Sequence, residues 1–321
     1  MRRLAPALCC LLLSTAALAD DPPPVQQGAL ARGFALPALG RPDVAPVGHW
    51  LQRVDLEDTS EFSSRSNSTS DESIFIDGEA TQLSYNLRYG FASGWEAGLF
   101  VPLLSQGGGV LGPIIQQWHK LWGLPNEGRG NYRNGIYQYT YMHNGQTLLN
   151  VSQGSVTFGD VQLTTGYQLL NHLALRAMVK LPSGDASHLS GNGAFGVAEW
   201  LDGGLPLGGF LHWLTLYGSI GYSENGTGAI IASQQKHDLA FGAAGLGLQF
   251  TRRWDAKVQV YVHGAPYNDS ELAALTHIAA PLTVSTSYRV AQHTTISAGF
   301  QEKANIFASP DFGVHLGVAF D

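Results

Sequence analysis

Apolar and polar residues alternate with period two along most of this chain. In TQLSYNLRYGF, Thr81, Leu83, Tyr85, Leu87 and Tyr89 share one face, while Gln82, Ser84, Asn86 and Arg88 share the other. Successive side chains of a strand point to opposite faces, so this spacing predicts a strand that is greasy on one side only. A tight turn at Ala92-Ser93-Gly94 leads into WEAGLFVPL, where Trp95, Ala97, Leu99, Val101 and Leu103 face away from Glu96. The pattern recurs in VQLTTGYQL and, after Asn171-His172, in LALRAMVKL, which sets Arg176 and Lys180 against Leu173, Leu175, Ala177, Val179 and Leu181. KVQVYVH places Lys257, Gln259, Tyr261 and His263 opposite three valines. LTVSTSYRV places Arg289 with Thr283, Ser285 and Ser287, opposite Leu282, Val284, Tyr288 and Val290. Weaker strands are expected near residues 49–57, 194–201, 210–222 and 238–250.

The connections alternate as well. Short turns begin at Ala92, Asn171, Arg252 and Ala291, and long polar loops fall between them: SEFSSRSNSTSDES, residues 105–132, SGDASHLSGN, SENGTGAIIASQQ and GAPYNDSELAAL. Short turns at one rim and long loops at the other characterise membrane β-barrels, whose strands need about 9–11 residues to cross the bilayer. The chain ends FGVHLGVAFD, alternating up to Phe320; it resembles the final strand read by the barrel-assembly machinery, although Asp321 follows the usual terminal Phe. The expected fold is all-β: a transmembrane antiparallel up-and-down β-barrel of about twelve strands over residues 49–321. In IYQYTYMHNGQTLLNV, Asn144-Gly145 is a type I′ hairpin signal with arms short for a full span. It is expected to stand above the membrane; if its arms crossed, the barrel would have fourteen strands. A soluble β-sandwich would explain neither the loop asymmetry nor arginines set opposite wholly apolar faces.

Composition narrows the class. The opening MRRLAPALCCLLLSTAALADD has a short basic region, an apolar stretch and a small-x-small site, so residues 1–19 are expected to be a signal peptide cleaved after Ala19. The expected destination is the Gram-negative outer membrane. Cys9 and Cys10 are the two cysteines of the chain and lie in that leader, and Leu8 fits poorly before a lipoprotein cysteine. Disulfides, thiolate chemistry and cysteine-bound metal are therefore not expected in the mature protein. Residues 20–48, opening DDPPPVQQG, read as a flexible periplasmic segment. Only 13% of residues are charged, with 39 Gly and 12 Tyr, and 25 acidic residues outweigh 18 basic ones. With no basic cluster interleaved with aromatics, nucleic-acid binding is not expected.

The loop after Leu103 departs from alternation. Ile114, Ile115, Trp118, Leu121 and Trp122 recur at helical spacing, so a short amphipathic helix is expected over 113–122, stopped at Gly123 and Pro125. Its apolar face needs burial, and the expected place is the barrel mouth, where Trp118, His119, Trp122, Pro125 and Arg129 would form a plug partly occluding the lumen. Several strings now become recognisable: ARGF-LP at residues 31–37, DGE at 77–79, LRYGF at 87–91, WEAGLFVPLLSQGGG at 95–109, WHKLWGLPNEGR at 118–129, GD at 159–160, VKLPSGD at 179–185 and SPDFGVHLGVAF at 309–320. In these the chain resembles an uncharacterised family of Gram-negative outer-membrane proteins, domain of unknown function 3187. The resemblance covers nearly all of the mature chain and implies a barrel, without implying an activity.

Candidate pathway residues are Asp77, Glu79, Arg88, Glu96, Arg176, Lys180, Lys257 and Arg289, because rings of charge set selectivity in pores; the alternative is that they pair and solvate a filled lumen. His119 as a base or ligand lacks a surrounding constellation, and His143, His188, His212, His237, His263, His277 and His315 show no HxH or HExxH spacing, so neither a catalytic residue, a metal site nor a cofactor is expected. Tyr137, Tyr139 and Tyr141 form a stripe that either stacks a flat ligand or packs a hairpin. The favoured function is a channel or transporter for a small solute, with outer-membrane lipid as the surrounding partner. The rivals are a membrane-embedded hydrolase or lipid-modifying enzyme, for which His119 and His143 would be needed, and a non-transporting structural or surface-interaction barrel.

Overall fold

A computed structural model describes residues 21–304 and 309–321; the expected leader at 1–19 lies outside them. In chain order the strands and helices are β1 (Trp50–Asn67), β2 (Glu72–Ala92), β3 (Trp95–Gly107), α1 (Leu111–Trp122), β4 (Gln138–His143), β5 (Gln146–Val151), β6 (Ser155–Phe158), β7 (Gln162–Leu170), β8 (Leu173–Lys180), β9 (Gly196–Pro206), β10 (Leu214–Asn225), β11 (Asp238–Gln249), β12 (Trp254–His263), α2 (Ala273–Thr276), β13 (Pro281–Ala291), β14 (Thr294–Lys303) and β15 (Phe312–Phe320). Twelve of the strands close an antiparallel barrel running β1-β2-β3-β7 and onward through β15, which returns to pair with β1 from Gln52↔Phe320 to Ser60↔Phe312. Closure satisfies the backbone without leaving an edge, the condition hydrocarbon imposes on a β-structure.

The other three strands extend the wall. β4 pairs with the far part of β2, Ile74↔Tyr141 among others, and closes on β5 through Asn144 (φ 51°) and Gly145 (φ 73°), the left-handed pair a type I′ turn requires. β6 continues the line of β7 along β3. The barrel thus has twelve strands, and the Tyr-rich hairpin stands on it as an extension. One expected loop is strand: β1 and β2 stay paired from Trp50↔Tyr89 out to Asn67↔Glu72, so SEFSSRSNSTSDES is a hairpin tip. Above the lipid nothing requires an apolar face, and the alternation fades there while the backbone ladder continues.

The facing follows the alternation. Val54, Leu56, Leu83, Leu175, Val179, Ile220, Ile296 and Leu316 lie exposed on the outer wall, while Asp55, Ser84, Arg88, Arg176, Lys257 and Gln259 are buried on the inner one. Near the short turns Trp50 stacks on Tyr89 at 4.2 Å and Trp95 leans on Tyr167 at 4.6 Å, an arrangement suited to an interfacial aromatic girdle.

Candidate functional site

The lumen is filled by the chain's own N-terminal segment. Residues 21–46, expected as a flexible periplasmic lead-in, instead form a re-entrant hairpin inside the barrel. At the short-turn end Asp21 pairs with Arg88 at 2.5 Å and with Arg41 at 3.3 Å, and its carbonyl accepts from Lys257 Nζ at 3.2 Å. The chain then climbs: Gln26 donates to the Ala80 carbonyl at 3.2 Å, and the Ala29 amide donates to Glu61 at 2.7 Å. At the tip, Phe34 meets Tyr267 edge-on at 5.7 Å, the Tyr267 hydroxyl donates to the Leu30 carbonyl at 2.9 Å, and the Ala35 amide donates to Asn225 Oδ1 at 2.7 Å. The descending arm passes Gly40 beside Arg176, and the Ala45 amide donates to Glu96 at 2.8 Å before the chain enters β1. Glu61, Ala80, Arg88, Glu96, Arg176, Asn225 and Lys257 all have the inward parity of their strands, so the segment is held from around the wall.

Small residues make the close approach feasible. A Cβ on Gly33 would lie 2.6 Å from Asn192 Cβ, and one on Gly90 would lie 2.2 Å from the Pro46 carbonyl oxygen. Ala29, Leu30, Ala31, Phe34, Ala35 and Leu36 join Ile76, Tyr139, Met178, Trp200, Phe241, Tyr261 and Tyr267 in one buried cluster. The far half of the lumen holds this apolar cluster together with Arg32, 3.9 Å from Glu61, and the buried Lys180–Asp160 pair, and the near half is charged. A signal for this was present: residues 29–39, ALARGFALPAL, are too apolar for a solvated linker.

The charged half brings together most of the expected pathway residues, with their charges already engaged. Arg176 donates to Glu96 at 2.8 Å and also pairs with Asp202; Arg88 lies 3.8 Å from Glu96; Lys257 lies 3.4 Å from Asp255. Higher up, Lys180 Nζ donates to Asp160 at 2.6 Å, to Asn192 Oδ1 at 3.1 Å and to the Ala194 carbonyl at 2.6 Å. Arg289 has inward parity at the short-turn rim, where its amide donates to the Arg253 carbonyl at 2.8 Å. Asp77 and Glu79 are a correction. They share parity with Leu83 along an unbroken β2 and face outward, on the opposite side from Arg88.

The Trp-His loop is a second correction, because it does not enter the lumen. α1 runs Leu111–Trp122 and ends at Gly123, left-handed at φ 68°. Glu79 accepts from the Val110 and Leu111 amides at 2.8 and 2.7 Å, satisfying donors that a helix start leaves free. The buried side of the helix is Leu111, Ile115 and His119, and Trp118 packs on Phe300 at 5.9 Å and Phe312 at 6.1 Å, both outward residues of β14 and β15. Trp122 and Pro125 are exposed. Arg129 closes the clamp: it donates to Asp311 at 2.6 Å and to Ser60 Oγ at 3.1 Å, lies 4.0 Å from Asp77, and stacks 5.1 Å above the Phe62 ring. Burial holds the His119 imidazole below its ordinary pKa, and its Nδ1 meets Asn126 Oδ1 at 3.0 Å. The apolar face therefore found a partner on the outer rim, where the aromatics of β14 and β15 present a matching surface.

Tyr139 and Tyr141 are buried, Tyr137 donates to Gln106 at 2.7 Å, and the stripe packs the hairpin over the lumen. His143 sits 3.5 Å from Glu72 at the edge of that packing. Among the described residues no group of three His, Cys, Asp or Glu side chains is placed to hold a metal ion.

The strings quoted from the sequence thus converge on two places. ARGF-LP, GD and VKLPSGD surround the hairpin tip, and DGE, WHKLWGLPNEGR and SPDF build the outer clamp. Among solved structures, the COG4313 outer membrane channel from Pseudomonas putida F1 is similar at a TM-score of 0.55 and 12% identity, over 87% of this chain and 97% of that one. Weaker likenesses include the NanC porin, at a TM-score of 0.41 and 11% identity over 85% and 100% of the two chains, and the CymD monoaromatic hydrocarbon channel, at 0.42 and 9% over 86% and 89%. No curated protein matches. The fold is an outer-membrane-type β-barrel, and the family model described as a protein of unknown function, DUF3187, matches residues 1–321, so the chain belongs to that family.

Proposed function

We propose that the protein is an outer-membrane channel or transporter for a small solute, exported by a cleaved signal peptide, with residues 21–46 as its gate. One observation carries this: a chain segment fills the lumen through contacts that are individually modest and come from around the wall. Such a barrel conducts only when the segment moves, and a gate is a use for a plug whose tip is anchored by Phe34, 1% exposed. The apolar tip resists opening by hydrophobic burial, while the ion pairs at Asp21 form a hinge near the short-turn rim. The charged lumen groups serve to seat the plug. Lipid surrounds the outer wall, and the alternating β15 ending at Phe320 is the strand offered to the barrel-assembly machinery.

The test is conductance of the full-length protein in planar bilayers, wild type against Phe34→Ala. Truncating a buried Phe typically costs about 3–5 kcal/mol, and Phe34 is 1% exposed. Even partial relaxation of that cost would raise the open probability at least tenfold. Silence of both proteins at every voltage and solute would sink the channel reading, and equal open probability would sink the gate.

A further inference from the structure

The inner wall carries a stripe of uncharged polar groups that the plug leaves without partners, and it lies in register across neighbouring strands. The pairings Gln259↔Thr283, Thr283↔Gln301, Gln301↔Gly313 and Gly313↔Thr59 run one row around β12, β13, β14, β15 and β1. The next row toward the short turns holds Lys257, Ser285, Gly299, His315 and Glu57, each opposite the next, with the charges at its two ends. In these rows both amide atoms of Gln259, the Thr283 and Thr59 hydroxyls and His315 Nε2 have no hydrogen-bond partner, nor has the Tyr261 hydroxyl two residues beyond Gln259. All five side chains are at most 4% exposed. On the facing plug, Gln26 donates through its amide and its backbone accepts from Gln301 at 3.0 Å, while its Oε1 is unpartnered.

A buried polar group without a partner costs about 1–3 kcal/mol, so one or two are tolerable, whereas six bordering one row are hard to explain as packing. The charged groups of the lumen behave in the opposite way. Arg53, Arg88, Arg176, Lys180 and Lys257 each have a carboxylate within 4.0 Å, and Glu57 at the stripe's edge accepts from Gln82 at 3.0 Å. Each of these charged side chains has an ionic partner, although Arg88 Nη1 makes no hydrogen bond, while the five neutral side chains of the stripe keep unpartnered polar atoms. Glycines at 299 and 313 alternate with the polar residues, and the His315 and Thr59 side chains occupy the space beside them, where a Cβ would meet His315 at 2.3 Å and Thr59 at 2.5 Å.

We propose that the face of β12–β15 and β1 bearing Thr59, Gln259, Tyr261, Thr283 and His315 is a binding stripe for an uncharged, polyhydroxylated solute, which it passes when the N-terminal hairpin withdraws. This deepens the channel reading and rests on it. Amide, hydroxyl and imidazole groups donate and accept alike, so they match a ligand whose own groups do both, as alcohol hydroxyls do. An anion would instead meet Glu57, and a cation would meet guanidinium and ammonium groups already bound to carboxylates.

The experiment is osmotic swelling of liposomes holding the full-length protein in the Phe34→Ala background. The solutes are xylitol and glucose, gluconate as the anion and glucosamine as the cation, with potassium chloride conductance recorded in parallel. The stripe predicts that the neutral pair enters at least fivefold faster than either charged analogue. The near-isosteric Thr283→Val with Gln259→Leu should abolish that preference while chloride conductance is retained. Heat-modifiable migration on gels checks that each variant is folded, and Thr283→Val alone serves if the double variant is not. Conductance without neutral preference, or preference that survives both substitutions, overturns the stripe and leaves the channel standing. Absence of both conductance and swelling overturns the channel and the stripe together.

Discussion

Glu79 shows how much a residue's meaning depends on the face it occupies. Charged residues on a barrel strand are costly against lipid and so default to the lumen, which is how Asp77 and Glu79 were expected to line a pathway. Their odd numbers already aligned them with Leu83 and against Arg88. What the pattern alone could not supply was their height, above the lipid, and the partners waiting there: helix amides for Glu79 and Arg129 for Asp77. Arg129, expected in a plug, lies on the outer rim for the same reason. Glu79→Ala should therefore destabilise the clamp by about 1–2 kcal/mol, the usual worth of a helix cap. Arg129→Ala should cost about 1.5–3 kcal/mol, the worth of hydrogen bonds to a charged group, because Asp311 keeps Lys303 Nζ at 2.7 Å. Limited proteolysis should show cleavage near residues 123–128 rising in both variants and most in the latter, with the barrel core resistant.

At the scale of elements, spacing identified α1 well and placed it badly. Helical periodicity says that one face must be buried; it does not say against what. The outward aromatics Phe300 and Phe312 provide the surface, and they cover only part of the apolar side, leaving Ile114 54%, Leu121 74% and Trp122 63% exposed to whatever surrounds the barrel. An amphipathic helix at a barrel rim whose apolar side is only partly covered is suited to the lipid interface, where aromatic and aliphatic side chains lie among the headgroups. A nitroxide on Leu121→Cys in proteoliposomes should accordingly be more accessible to dissolved oxygen than to a water-soluble nickel relaxant; the reverse ratio would put α1 in water. The N-terminal segment is the mirror case. Its Pro-rich opening drew attention from the apolar run at 29–39, whose burial needs a partner as surely as that of α1 does, and the lumen provides it.

For the molecule as a whole, strand alternation and loop lengths carried the barrel, its twelve strands and most of the inward charges, because each depends on local period and parity. The occupant of the lumen was not legible, because it depends on contacts between residues more than a hundred positions apart, such as Ala35 with Asn225. The two occupancy assignments exchanged places: the loop expected in the mouth braces the outside, and the tail expected in solvent fills the inside. On the proposed channel reading, movement of residues 21–46 is the event that opens the barrel. The most direct measurement joins that segment to the wall by a disulfide in an Ala35→Cys/Asn225→Cys variant and records bilayer conductance before and after reduction. Oxidised protein should be silent and reduced protein should conduct; equal conductance in the two states, with the crosslink verified by mass, would contradict the account.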